Sequence, residues 1–250
     1  MKKPYIALLV LMALSTISIS VVMSGRLVAQ QKPQGKDEPT IVQKGQLTEK
    51  QRRHSKEFEG RKIPGLDTDT DRDVGIYIDI EPGPLPGKSI INNSDDYLRA
   101  LACANVTDAV VVGKIIKKAS QLTENSRFVF TDYEFEIHEA LKIPVDFDSP
   151  VNKQITITDP GGAVKVDGRI IFAAISREQP LRVGSRYILF LRRLKGADSF
   201  RLIGERGIFG INNDDVKPTY YDFRGESGYV EVLQKIRSII LTCQVVDEEK

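Results

Sequence analysis

Strand-forming apolar patterns fill the chain from Asp108 to Ile211, and one stripe at helical spacing follows from Gly228 to Cys243. Asp108–Lys118 is rich in Val and Ile, with Gly113 at its centre. A glycine inside an apolar strand marks a bulge or a sharp bend. Phe128–Leu141 alternates. Val129, Thr131, Tyr133, Phe135 and Ile137 share one face, and Asp132, Glu134, Glu136 and His138 share the other, the period of a half-buried strand. Gln154–Asp159 predicts a third strand, ended by a turn at Pro160-Gly161-Gly162. Val164–Val166 and Ile170–Ile175 predict an inserted hairpin around Asp167-Gly168. Arg186–Arg192 is apolar on both faces, which predicts a central strand covered on both sides. Phe200–Ile203 and Gly207–Ile211 complete the set, with a turn at Asn212–Asp215. In the last helix Tyr229, Val232, Leu233, Ile236, Ile239, Ile240 and Cys243 form one stripe, which needs the strands as its partner surface. The expected architecture is a small, curved β-barrel with a helix packed on it.

The N-terminal part is different. Ser94–Cys103 predicts a short helix with Ser94 as N-cap and Asp95 and Asp96 at its positive end. Val74–Ile80 alternates like a strand that docks on an exposed edge, and the proline-rich Glu81–Gly87 ends it. Gln30–Gly65 is polar, and Gln51–Lys62 shows no apolar face to bury, so residues 30–73 are expected to be a disordered tether. Asp67, Asp69, Asp71 and Asp73 resemble the start of a calcium loop, but Arg72 and Ile78 stand where that loop needs Gly and Glu. An acidic surface turn is the better reading. Residues 74–102 then lead into a barrel-and-helix unit at 103–250.

Met1–Met23 carries Lys2 and Lys3 ahead of an apolar run, the parts of a secretory signal. Ala29 is a suitable small residue before a cut. The run is also nearly long enough to span a bilayer. A cleaved signal and a retained anchor at residues 1–29 both stay open, and both place residues 30–250 outside the cytoplasm. Membrane contact is then expected only through residues 1–29, if uncleaved. Two cysteines in an exported chain allow one disulfide, Cys103–Cys243, if the closing helix packs back over the start of the barrel. With the two histidines they make no zinc spacing, and no metal or cofactor is expected. The net charge of +2 is too small to argue for nucleic acid.

The block Ala109-Val-Val-Val-Gly-Lys, then Thr131–Ile137 with Glu139-Ala-Leu-Lys142, then Val183–Leu191, resembles the netrin-like and tissue-inhibitor-of-metalloproteinase type of OB-fold barrel. It also resembles uncharacterised exported bacterial proteins with the same layout. The resemblance covers about 103–243 and implies a mainly β fold, with a five-stranded OB-like barrel and a packed C-terminal helix. Protease inhibition does not carry over. The inhibitors use a mature N-terminal cysteine and many disulfides, whereas Cys103 lies deep in this chain.

No nucleophile–base motif, metalloprotease helix or phosphate loop is present. His54 falls in the expected tether, and His138 lies on a polar strand face beside Glu136. No catalytic residue is assigned. Asp159, Gly161 and Gly162 form a turn where glycine permits a ligand close to the backbone. The expected function is that of an exported, non-enzymatic binding module whose partner is an extracytoplasmic protein or an envelope polymer. The alternative is an extracytoplasmic hydrolase with an unrecognised site. An exposed apolar or aromatic patch, with Phe128, Phe130 and Tyr220-Tyr221 as its candidates, would favour the first, and a polar cluster in a deep pocket the second.

Overall fold

Two long antiparallel strands, β3 (Ala109–Leu122) and β4 (Val129–Lys142), run through the centre of the fold. The computed structural model describes residues 39–42, 46–64, 66, 73–78, 94–103, 107–144, 153–175, 181–203, 207–212, 215–218 and 227–248. The signal or anchor at 1–29, the aspartates at 67–71, Glu81–Gly87 and Tyr220-Tyr221 lie outside these residues.

The β3–β4 register slips between Val112 and Gly113. A Cβ on Gly113 would lie 2.0 Å from the Glu136 carbonyl oxygen and 2.8 Å from the Phe135 ring. Only glycine permits that approach, so the bulge expected from the sequence stands where Gly113 is. β5 (Gln154–Pro160) pairs antiparallel with β4. β8 (Arg186–Arg193) pairs antiparallel with β3. β9 (Phe200–Leu202) pairs parallel with β5 and antiparallel with β8. The pairings therefore form a cycle, β8-β3-β4-β5-β9 and back to β8. β10 (Ile208–Asn212), β11 (Asp215–Pro218) and β12 (Ser227–Gly228) extend the sheet beyond β8.

A second sheet grows from the inserted hairpin of β6 (Gly162–Val166) and β7 (Arg169–Ile175). Asp167 and Gly168 both take positive φ, 49° and 84°. That is the backbone of a two-residue type I′ hairpin loop. β1 (Thr40–Ile41) adds parallel to β6, and β2 (Val74–Ile78) adds parallel to β7. The docking strand expected at 74–80 thus lies on the hairpin. The turn expected at Pro160-Gly161-Gly162 takes another form. β5 continues through Pro160, and Gly161 (φ 93°) and Gly162 (φ 122°) swing the chain directly into β6. The glycines redirect the strand into the other sheet.

Residues 109–112 of β3 and 187–191 of β8 are covered on both faces. Val111, Leu189 and Leu191 point into one core with Phe135, Ile157 and Phe200. Val110, Val112, Ile188 and Phe190 point into another, capped by α2 (Ser94–Ala102) and α3 (Tyr229–Glu248). The predicted stripe of α3 is buried there, at Val232, Leu233, Ile236, Ile239 and Ile240. Leu98, Leu101 and Ala102 of α2 complete that core. Cys103, just past α2, is joined to Cys243 of α3 in a disulfide with a Cα–Cα distance of 5.5 Å. The bond is compatible with an oxidising compartment outside the cytoplasm. Among the described residues no helix is long and apolar enough to cross a membrane.

The expectation that residues 30–73 are a disordered tether is corrected over the described part. Glu49–Ser55 is a helix, α1, followed by a 3-10 turn at Lys56–Phe58. Phe58, Ile63 and Leu66 enter a third core with Phe128, Phe130, Val164 and Ile171. The segment shows little apolar periodicity because three large residues suffice to anchor it, and the sheet-facing stripe of α1 is polar.

The disulfide closes a loop with a sequence separation of 140. Replacing both cysteines by serine is expected to lower stability by about 2–4 kcal/mol, read as a lower urea midpoint with an unchanged slope. An unchanged midpoint would show that the packing of α3, without the bond, holds the two ends together.

Candidate functional site

Helix α1 begins where Thr48 caps it. The Thr48 hydroxyl accepts from the Gln51 amide at 3.2 Å, and the Gln51 side-chain oxygen accepts from the Thr48 amide at 2.8 Å. This capping box fixes the start and phase of the helix. At spacing three and four, Lys50, Arg53 and His54 then face the sheet. An ordinary surface helix would carry apolar residues there.

The surface beneath is also polar. β-strand alternation turns Thr156 and Thr158 of β5 and Asp132 of β4 outward, away from the interior that holds Ile157 and Tyr133. Lys50 Nζ donates to Thr156 Oγ1 at 2.5 Å. Arg53 reaches Asp198 in the β8–β9 turn at 3.4 Å. His54 is fully buried, with Nδ1 3.0 Å from both carboxylate oxygens of Asp132. Thr158 Oγ1 donates to the same carboxylate at 2.6 Å. An ionised carboxylate only accepts, so the Nδ1 proton faces Asp132 and Nε2 faces the other way. Ser55 Oγ accepts from the Glu124 amide at 2.8 Å, and Asn125 donates to the Glu59 carbonyl at 3.2 Å. Arg53 Nε, His54 Nε2 and Ser199 Oγ are buried without a hydrogen-bond partner among the described residues.

The seam passes from polar to apolar along the segment. Phe58 stacks on Phe128 at 5.9 Å and on Phe130 at 5.7 Å between ring centroids. A fully buried phenylalanine contributes about 1.5–3 kcal/mol, comparable to the ~1–3 kcal/mol cost of one unpartnered buried polar group. The aromatic end therefore anchors the segment, and the polar end sets its orientation. Phe128 and Phe130, named as candidates for an exposed aromatic patch, are buried under this anchor.

Asp159 lies at the end of β5, half-buried. Loss of water raises its carboxyl pKa from the ordinary 3.8 to about 7, against the opposing pull of the Arg201 and Arg61 charges. Arg61 sits over the Phe58 and Phe128 rings, 6.0 and 5.8 Å from their centroids. Burial, together with the nearby Arg201 charge, lowers its own pKa. Of the turn singled out in the sequence, Asp159 thus lies within electrostatic reach of two arginines. Gly161 offers its carbonyl to Thr131 Oγ1 at 2.7 Å. A Cβ on Gly162 would lie 2.2 Å from Thr131 Oγ1 and 2.4 Å from Ser120 Oγ. The close approach these glycines allow is made by the chain's own hydroxyls.

His138 is exposed, with Nε2 3.5 Å from Glu136, a surface pair as its strand face implied. Among the described residues no group of three or more His, Cys, Asp or Glu could hold a metal ion. The pattern Thr48-x-x-Gln51 ahead of His54 was the one local signal that this histidine belongs to a helix. No protein-family model matches the chain, and no curated protein matches it significantly in sequence.

The raised pKa of Asp159 has a definite sign. Between about pH 4 and 7 the folded protein holds a proton that the unfolded chain has released, so stability falls as pH rises through that window and levels off above it. Asp159→Asn is expected to stabilise the protein at pH 8 by about 1–2 kcal/mol, with the gain shrinking toward pH 4. Denaturant midpoints at both pH values check this, and a gain independent of pH contradicts it. His54→Ala leaves Asp132 under α1 with Thr158 alone. It is expected to cost about 2–3 kcal/mol and to speed hydrogen exchange in Glu49–Ser55 ahead of the rest. Uniform exchange rates across the protein would contradict a local role.

Proposed function

We propose that the chain is a non-enzymatic binding module that works outside the cytoplasm, built on an OB-like barrel of the netrin-like type. Its partner is an extracytoplasmic protein or an envelope polymer. The observation that carries the reading is the cycle of strand pairings. Three strands meander (β3, β4, β5), a fourth (β8) returns to the first, and a fifth (β9) links third to fourth, with only the β5–β9 pair parallel. That order supports reading the sheet as an OB-like barrel, a fold in which the second and third strands present a binding face. Here the corresponding strands are β4 and β5, the ones that α1 crosses.

Fold alone does not name a function. The binding reading also draws on how the titratable groups are spent. His54 commits Nδ1 to Asp132 under a capped helix, and His138 pairs with Glu136 on an open strand face. The Cys103–Cys243 bond is compatible with the compartment, and the apolar run after Lys2 and Lys3, read as an export signal, supports it.

One observation favours the hydrolase alternative. Asp132 orients His54, and both His54 Nε2 and Ser199 Oγ are buried without partners among the described residues. A base held by a carboxylate and a serine hydroxyl are parts of acyl-transfer chemistry, although Ser199 Oγ does not hydrogen-bond to His54 here. A serine-reactive fluorophosphonate distinguishes the two readings. Labelling of Ser199 that disappears on His54→Ala favours the hydrolase, and no labelling favours the binding module.

The binding reading predicts a discrete partner. A photo-reactive residue placed at exposed Lys117, introduced in the native cells, is expected to give one specific crosslinked species outside the cytoplasm. Purified protein should show only background in a hydrolase panel. Turnover that survives repurification and vanishes on His54→Ala would overturn the proposal. So would recovery of Cys103 and Cys243 as two free thiols from the native compartment, because that removes the support for export.

A further inference from the structure

We infer that Arg61, Arg192 and Arg201 form a binding site for a phosphate group on the outer face of β8 and β9. The inference deepens the binding-module reading and rests on it. The strand register is its first support. Arg192 of β8 lies directly opposite Arg201 of β9. Residues directly opposite in an antiparallel pair project from the same face, with Cβ atoms about 4.5–5.5 Å apart. The neighbours Leu191 and Leu202 point into the interior core, so both arginines point outward.

Two like charges opposite each other across a ladder are destabilising. Natural strands usually place an acidic residue opposite a basic one, as Lys117 and Glu134 do in the β3–β4 pair at 3.1 Å. At Arg192 and Arg201 no described residue supplies such a partner. Neither arginine, nor Arg61, has an ion pair within 4.0 Å among the described residues.

The third arginine arrives from the other side. The parallel β5–β9 register pairs Ile157 with Phe200, so Thr158 flanks Arg201 on the outer face, beside the seam under α1. The segment that follows α1 brings Arg61 over the Phe58 and Phe128 rings. Arg61 and Arg201 are close enough for each charge to bear on Asp159. Three guanidinium groups and one ionised carboxylate leave a local charge of 3 − 1 = +2. Asp159 neutralises the cluster only in part, because burial opposes its ionisation.

The chemistry of the missing counter-charge follows. Guanidinium groups present paired N–H donors in a planar fork that fits tetrahedral oxyanions and carboxylates. Three forks from three chain segments suit a phosphate, which offers several acceptor oxygens and one or two negative charges. A single planar carboxylate occupies one fork or two. The phosphate can be free, part of a phosphodiester polymer, or a lipid headgroup. All three present the same oxygens to the arginines.

The test uses the full chain with its disulfide intact. Inorganic phosphate, a glycerol-phosphate polymer, and phosphatidylcholine vesicles with or without phosphatidylglycerol are titrated at low salt. Binding is read by calorimetry and by the rise in melting temperature. At least one phosphate arm is expected to bind, and the tightest arm names the source. Arg192→Ala and Arg201→Ala are each expected to weaken it about tenfold. Arg192→Lys keeps the charge but loses the fork, and should fall between the wild type and Arg192→Ala. Exposed Arg182, in the turn before β8, serves as the control, and Arg182→Ala should leave binding unchanged. Because Arg192 is exposed, its variants are expected to fold, and unliganded Arg192→Ala should melt no lower than the wild type. No binding in any arm, or equal loss in all three alanine variants, overturns the site. The crosslinked partner of the previous section is scored separately. If it persists in Arg192→Ala while phosphate binding is absent from the wild type, the site fails and the binding module stands. If turnover appears, the module reading fails whatever the arginines bind.

Discussion

Residues 109–112 of β3 and 187–191 of β8 have no solvated face, and the rest of the structure is arranged around that requirement. Val110 and Val112 point to α2 and α3, while Val111 points to the interior with Leu189 and Leu191. A strand pair apolar on both sides must be covered twice. One cover is the sheet itself, in which β9 pairs with both β5 and β8. The other is the helical layer, in which α3 supplies five buried apolar residues and α2 supplies three. The bulge at Gly113 fits this scheme. The backbone there approaches Glu136 too closely for any side chain, and the local twist it adds lets β3 serve both covers. The disulfide joins the two helices of one cover. It therefore secures a layer that the chain assembles from segments far apart in sequence.

Legibility followed periodicity. The alternation of Val129 to Ile137 and the double-sided run of Arg186–Arg192 express tertiary burial directly, and both strands lie where they were expected. The α3 stripe was equally plain, and it restricted where Cys243 could lie, which made Cys103 its natural partner. The hairpin at Asp167-Gly168 was legible because both residues tolerate positive φ. The Pro160-Gly161-Gly162 segment misled because proline and glycine signal departure from a strand without saying in which direction. Here the departure leads into a second sheet, and no local rule distinguishes that from a surface turn.

The candidate site was hardly legible, for a related reason. Hydrophobic patterning reports burial only where the buried residues are apolar. α1 buries His54 and the inner atoms of Arg53 against Asp132, Thr158 and the Asp198 turn. To a pattern search that face looks like a solvated one. Asp132 and Thr158 likewise lie on the polar parity of β4 and β5, which alternation alone assigns to solvent. The only cue was the capping box at Thr48 and Gln51, which marks a helix start without saying what the helix rests on. The cross-strand arginines required a register between β8 and β9, which a sequence does not supply without knowing which strands pair.

The N-terminal segment divides its work along its length. Phe58, Ile63 and Leu66 contribute the adhesion, because each moves a large apolar surface out of water. Lys50, Arg53 and His54 contribute little net adhesion, since every hydrogen bond they form replaces one to water, and three of the buried polar atoms in the seam have no partner among the described residues. What the polar half gains is direction. His54 can meet both oxygens of Asp132 in only one placement of α1, and the apolar anchor alone leaves that placement unspecified. Arg61 lies just beyond Phe58, on the rings of the anchor. Its position relative to Arg201 therefore depends on the anchor for depth and on the histidine–aspartate pair for register. A segment that reads as a tether in sequence thereby becomes the part that sets the charge distribution on the outer face of the strands.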